Sequence, residues 1–212
     1  MKIIPLAAKT VVIAVAISTL AGCADNPPMN FSVPNVGVSQ KKIAAEVKSI
    51  TVTWARPDEK SGDITIKSLN LDGEKHLGGG GDNETANSVP VQWQTALTES
   101  LNDMAIFQDD ASKKVSLSVK ILELNAPSFG ISMTTTTTAR YRIIDRKTGD
   151  IIFVQDIKSV GDVPASYAFS GAIRIQESIN RAVQNNIALF LRALDTVDVN
   201  KPMFPTKPAS AQ

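Results

Sequence analysis

Hydrophobic and polar residues alternate along two short stretches in the first half of the chain. Single threonines separate Ile50, Val52 and Trp54, and Ile64 and Ile66 repeat the same spacing after a polar, proline-containing turn. A period of two residues places every apolar side chain on one face of a strand. The pattern therefore predicts two strands joined in a hairpin.

Three further strand-like stretches follow one another in the second half of the chain. They cover residues 114–126, 131–145 and 151–160, and the turn DRKTGD joins the last two. β-Branched residues dominate the second stretch, which favours extended structure. Short connections between neighbouring strands predict antiparallel pairing, so we expect a sheet of about five, mainly antiparallel strands.

Apolar residues recur every three or four positions in two other stretches, 89–107 and 168–195. This spacing is typical of helices with one buried face, and Ser88 is placed to cap the first of them. The order strand, strand, helix, three strands, helix predicts an α+β fold, with both helices packed on one face of the sheet. We place this domain at residues 44–197.

The N-terminus has the organisation of a bacterial export signal. Lys2 and Lys9 precede the uncharged apolar run 11–17. This run is shorter than the roughly 20 residues that a membrane span requires. We therefore predict a signal peptide over residues 1–22.

The only cysteine of the chain, Cys23, directly follows this segment. A lone cysteine can be a small buried hydrophobic residue, but the sequence Leu-Ala-Gly-Cys at 20–23 resembles the lipobox of bacterial lipoproteins. The resemblance implies cleavage between Gly22 and Cys23 and lipidation of Cys23, so that acyl chains hold the protein at a membrane. Ala24 occupies the place where lipoproteins retained at the inner membrane carry an aspartate. We expect anchoring at the periplasmic face of the outer membrane.

Two segments that flank the predicted domain lack a sustained hydrophobic period. Residues 23–43 mix proline, asparagine and glycine, which predicts a flexible tether several nanometres long when extended. Residues 198–212 are rich in proline and predict a disordered tail.

The balance of charges narrows the classes of partner that the protein can bind. Once Lys2 and Lys9 are removed with the signal, 20 of the 22 basic residues remain against 21 acidic ones. This balance provides no chain-wide positive field for phosphate backbones, so we predict no nucleic-acid partner.

Without cysteine pairs, the exported domain must be held together by its hydrophobic core rather than by disulfides.

Residues for catalysis are sparse in this sequence. His76 is the single histidine, and a zinc site around it would need several carboxylates as the other ligands. The glycines at 78–81 lack the Gly-Lys-Ser/Thr ending of a phosphate-binding loop and predict a flexible loop. We predict no catalytic residue, metal or cofactor and no enzymatic activity; a hydrolase or transferase that uses His76 is the remaining alternative.

Two stretches contain candidate contact residues for a partner. Tyr167 and Phe169 lie among small residues in the predicted connection between sheet and last helix. Phe169 is also placed to act as a hydrophobic staple of that helix. The threonine run 134–138 favours a strand with a polar exposed face, and Thr136 at its centre is a candidate for contact in a shallow groove.

Several features together resemble the YajG-like and ABC-transport auxiliary lipoproteins. They are the lipobox, a first helix ending near Phe107, the strand VSLSVKILELN, the hairpin YRIIDRKTGDIIFVQDIK and a closing amphipathic helix. The resemblance covers residues 45–195 and implies a noncatalytic periplasmic lipoprotein; its auxiliary branch is implicated in intermembrane lipid trafficking. It offers no motif from which functional residues can be assigned.

These observations favour a binding or adaptor component of an envelope transport or assembly system, with an envelope protein as partner. A lipid carrier is the alternative, and it would require an apolar cavity between sheet and helices. An envelope hydrolase or transferase is the third possibility.

Overall fold

In the residues that the structure describes, the domain consists of four β-strands and two long α-helices. The protein is represented by a computed structural model that describes residues 29–56, 84–128, 130–201 and 203. In chain order the elements are β1 Glu46–Trp54, α1 Glu84–Met104, β2 Lys114–Asn125, β3 Met133–Asp145, β4 Ile151–Val163 and α2 Gly171–Ala193. Short 3-10 turns follow β4 and α2, at Ala165–Tyr167 and Leu194–Thr196.

The sheet is mixed rather than mainly antiparallel. Its strands lie in the order β1-β2-β3-β4; β1 and β2 are parallel, whereas β2–β3 and β3–β4 are antiparallel. The parallel pair arises because α1 connects the two strands and returns the chain to the end where β1 began. The described residues therefore contain four strands instead of about five, and the predicted strand with Ile64 and Ile66 lies outside them.

Both helices cover the same face of the sheet. Val52, Val119 and Tyr141 lie opposite one another in register on β1, β2 and β3, and all three are buried. Helix α1 packs on β1, and α2 packs on β3 and β4. No helix in the described ranges combines the length and apolar composition needed to cross a bilayer. The α+β class with two helices is confirmed, although α1 begins at Glu84, upstream of the predicted cap Ser88.

Polar contacts fix the position of α2 on the sheet. Ser178, Ala182 and Asn186 follow one another at intervals of four residues, so they lie along one line of the helix. The hydroxyls of Thr135 and Ser178 form a hydrogen bond of 2.6 Å, and the Ser159 hydroxyl donates to the carbonyl of Ala182 at 2.8 Å. The Asn186 amide donates to the carbonyl of Ile157 and to the Ser159 hydroxyl. Sliding α2 by one turn would break all of these bonds.

The aromatic centre of the core lies beside this line. The rings of Tyr141 and Phe190 stack with centroids 4.1 Å apart, and the Tyr141 hydroxyl donates to Asn186 Oδ1 at 2.9 Å. Burial raises the pKa of Tyr141 far above its usual value, so the ring stays neutral. Asn186 therefore satisfies one polar group from β3 and two from β4.

Gly161 allows the closest approach between β4 and α2. A Cβ at this position would lie 2.2 Å from the Ser178 carbonyl oxygen and 2.4 Å from the Ala182 nitrogen. Both atoms belong to the helix backbone, so no side-chain rotation can make room. The backbone of α2 is consequently in direct contact with the strand, with no space for a ligand at this point.

The segment before β1 differs from the predicted flexible tether. Phe31 is 2% exposed and meets the Trp93 ring edge-on at 6.4 Å. Ile43 is also buried and forms a bridge with Phe107. Residues 29–43 are packed on the domain because most of their isolated apolar side chains, though not Val38, contact the core, whereas residues 23–28 lie outside the described range.

The described part of the predicted tail is also packed. Val199 is buried, and its carbonyl accepts a bond from Lys113 Nζ at 2.8 Å. The Met203 N–H donates to the carbonyl of Ile151 at 2.9 Å. The folded part of the chain therefore extends beyond residue 197, while 204–212 lie outside the described range.

We expect Gly161→Ala to lower the free energy of unfolding by roughly 1–3 kcal/mol, because the added methyl group must push α2 away from β4. Gly37→Ala is the matched control, since a Cβ there meets nothing within 4 Å. Its stability should stay within about 0.5 kcal/mol of the parent protein. Urea unfolding measures both; equal stability of the two variants would contradict the close contact.

Asn186→Leu should cost about 2–4 kcal/mol, because the Tyr141 hydroxyl and the Ile157 carbonyl lose their partner inside the core. Adding Tyr141→Phe removes one of these two groups. The double variant should therefore recover about 1 kcal/mol in the same unfolding measurement. An Asn186→Leu variant as stable as the parent would show that this amide is not needed.

Candidate functional site

Three large apolar side chains are exposed at one end of the domain. Phe169 is fully exposed, and Ile131 and Tyr167 are 81% and 46% exposed. They lie in the β2–β3 loop and in the β4–α2 connection. We call these three residues the end patch.

The antiparallel pairing of β3 with β4 brings the two loops together. Met133 at the start of β3 pairs with Val163 at the end of β4, so the segments on either side leave the sheet at the same end. The Met133 side chain also lies near both Gly130 and Gly171, the first residue of α2. The end patch is therefore located at the N-terminal end of α2.

Arg174 fixes the backbone beneath the end patch. One guanidinium nitrogen donates to the carbonyls of Ala168 and Phe169, the latter at 3.0 Å, and the other donates to Gly130 at 3.4 Å. A single side chain thus joins the β2–β3 loop to the β4–α2 connection. The apolar side chains are held by backbone contacts and remain in solvent.

Phe169 does not act as a hydrophobic staple, because its ring is fully exposed. A staple joins the residue before the N-cap to the fourth residue of the helix. With Ser170 at the N-cap, that fourth residue is Arg174. Its guanidinium binds the carbonyl of Phe169 instead of supplying an apolar surface for the ring.

Tyr167 is held by a cation. The Arg181 guanidinium carbon lies 5.2 Å from the centre of the tyrosine ring, a cation–π distance. Arg181 also donates to Glu177 and to the carbonyl of Asp162, each at 2.8 Å. These contacts anchor Tyr167 against α2. Its ring remains partly exposed, two positions before Phe169 in the chain.

Thr136 does not join the end patch. It is half-buried on β3 between Asn125 and Val160. Because side chains alternate along a strand, Thr136 faces away from the helices, opposite to Thr135, which binds Ser178 of α2. The threonine run is thus not simply an exposed polar face, since its buried members bond within the fold.

Several ionised groups of the described residues form structural pairs. Arg140 and Asp156 pair across β3 and β4, and the bond to Asp156 raises the pKa of Arg140. Hydrogen bonds from Lys114 and Lys48 lower the pKa of Glu46. No cluster of three or more His, Cys, Asp or Glu side chains that could hold a metal occurs in the described ranges.

The predicted lipidation site is not part of the described structure. Cys23, the cleavage residue Gly22 and His76 all lie outside the described residues. Cleavage and lipidation therefore stay predictions.

Ile131 is the member of the end patch that sequence reasoning missed. It lies between Gly130 and Ser132 at the beginning of a strand-like stretch. An apolar residue at this place is predicted to belong to the strand. The strand begins only at Met133. In the sequence, the preceding glycine was the signal for a loop. In the structure, this glycine has a φ of 155°.

Comparisons with known proteins give distant structural likenesses. No protein-family model matches the chain, and no curated protein matches it. A Xanthomonas campestris protein of the DUF330 family is similar with 8% identity and a TM-score of 0.39, over 48% of this chain and 58% of that one. A minor lipoprotein from Acinetobacter baumannii has 14% identity and a TM-score of 0.34, over 79% and 99% of the two chains.

A lipoprotein from Neisseria meningitidis is similar over a shorter region, which covers 38% of this chain and 45% of that protein, with 14% identity and a TM-score of 0.23. The matched regions thus span less than two thirds of the Xanthomonas and Neisseria proteins. Likenesses at this level identify neither a family nor a function for this chain, and the YajG-like or auxiliary type stays a prediction.

Proposed function

We propose that this protein is a noncatalytic docking lipoprotein of the bacterial envelope. Acyl chains on Cys23 hold it at the periplasmic face of the outer membrane, and the end patch contacts another component of the envelope. The observation that carries the proposal is the full exposure of Phe169 on a backbone that Arg174 joins to the loop of the exposed Ile131.

The end patch has the properties of a binding surface. Single exposed apolar residues are common on proteins and need no explanation, but a group of them on a fixed surface is typical of an interaction site. Aromatic residues are enriched in such sites because their rigid rings lose little conformational entropy on binding. Docking in this way requires no catalytic group.

Lipid carriage between sheet and helices has less support. That interface is filled by direct contacts. They are the backbone contact at Gly161, the stack of Tyr141 on Phe190 and the hydrogen bond between Thr135 and Ser178 of α2. A carrier would have to separate α2 from the sheet and leave buried polar groups without partners. We therefore favour docking on the outer surface.

Photo-crosslinking in intact cell envelopes tests the docking surface. We expect benzoylphenylalanine at position 169 to form covalent adducts with an envelope component, because the ring at this position is placed to contact it. The matched control is the same residue at position 147, which is exposed in the turn between β3 and β4 at the other end of the domain. Equal yields of adduct at the two positions would contradict the proposal.

A further inference from the structure

The packed segment before β1 shows the direction in which the chain approaches the domain. Lys41 donates to the carbonyls of Asp195 and Val197 just after α2, and the Ser39 N–H donates to Met104 at the end of α1. This part of the segment therefore lies at the C-terminal ends of both helices.

Earlier residues of the segment lie progressively closer to the N-terminal ends of the helices. Ser32 contacts Glu99, and Phe31 contacts Trp93. The Asn30 N–H donates to Asn180 at 3.1 Å and its carbonyl accepts from Gln184 at 3.0 Å, which places Asn30 near the middle of α2. Traced backwards, residues 41 to 30 run along the helices towards the end of the domain that contains the end patch.

The remaining distance to the predicted lipid anchor is short. Asn30 is only seven positions after Cys23, and seven steps of the chain span at most about 25 Å when fully extended. From Asn180 to the start of α2 at Gly171 is about 14 Å along the helix axis at 1.5 Å per residue. The acyl chains thus cannot lie much more than about 10 Å beyond the level of the end patch along this axis.

The chemistry of the end patch suits a lipid surface. Tyrosine is favoured at the boundary between headgroups and acyl chains, where its ring can leave water while the hydroxyl stays hydrated, and phenylalanine supplies an apolar ring that can be buried at the same level. The turn at the other end of the domain exposes Arg146 and Lys147, which suits a position in water.

We propose that the component contacted by the end patch is the membrane itself. Phe169, Ile131 and Tyr167 insert into the interfacial layer of the bilayer that holds the acyl chains of Cys23. The contact would fix the domain upright, with the N-terminus of α2 towards the lipid. The inference rests on the proposed function, whose envelope component it identifies as lipid instead of protein.

A depth measurement on the acylated, full mature protein tests this inference. Cys23 is the only native cysteine, and in the lipidated protein its sulfur carries the lipid, so Phe169→Cys can be labelled selectively with an environment-sensitive fluorophore. In vesicles of phosphatidylethanolamine and phosphatidylglycerol, we expect a blue-shifted emission and strong quenching by lipids with a headgroup-proximal spin label. Lys147→Cys is the matched control and should keep the emission and intensity seen in buffer.

Each outcome separates the two proposals. Weak quenching at both positions, or equal quenching at both, overturns insertion of the end patch into lipid. If lipid does not quench position 169 more than the control, but this position forms protein adducts in intact envelopes, the docking proposal stands with a protein as the partner. If position 169 is neither quenched by lipid nor crosslinked above the control, docking through the end patch fails as well. Circular dichroism confirms that both cysteine variants are folded.

Discussion

The N-terminal segment packs between the two helices, and both the completeness of the helix layer and the course of the chain follow from this packing. Phe31 is buried against Trp93, and Lys41 satisfies carbonyls that follow the C-terminal end of α2. Helix ends leave such carbonyls without partners, and a cation there is favourable. The segment therefore completes the helix layer and also determines where the chain leaves the domain.

The core beneath this layer combines apolar packing with a few polar bonds of defined geometry. Apolar contacts alone would allow α2 to shift along the sheet with little change in buried area. The bonds of Ser178 and Asn186, together with the close contact at Gly161, favour a single position. Because Arg174 and Arg181 belong to the same helix, that position also sets the geometry of the end patch.

The parts of the fold that depend on local patterns could be predicted from the sequence. Strands β2 to β4 and helix α2 follow from alternation and from three- and four-residue spacing. The parallel pairing of β1 with β2 could not be predicted, because it is decided by which strand the chain reaches after α1. Phe31 was missed for a related reason: a single apolar residue among proline and asparagine has no period, and its burial depends on a groove made by distant residues.

The candidate site was predictable only in part. Tyr167 and Phe169 were identified from composition, but their roles depend on arginines one helical turn or more away. Arg174, four residues after Ser170, was visible in the sequence as a residue unsuited to a hydrophobic staple. The association of Ile131 with these aromatic residues required the pairing of β3 with β4, which joins two loops that are far apart in the chain.

In the proposed arrangement, a short lipid-linked segment holds the N-terminal end of α2 against the bilayer. Neutron reflectometry on the acylated protein bound to a supported membrane measures this arrangement directly. The expected result is a protein layer that begins at the headgroups, with no separate water layer between them. A resolved water layer between the headgroups and the domain would rule this arrangement out.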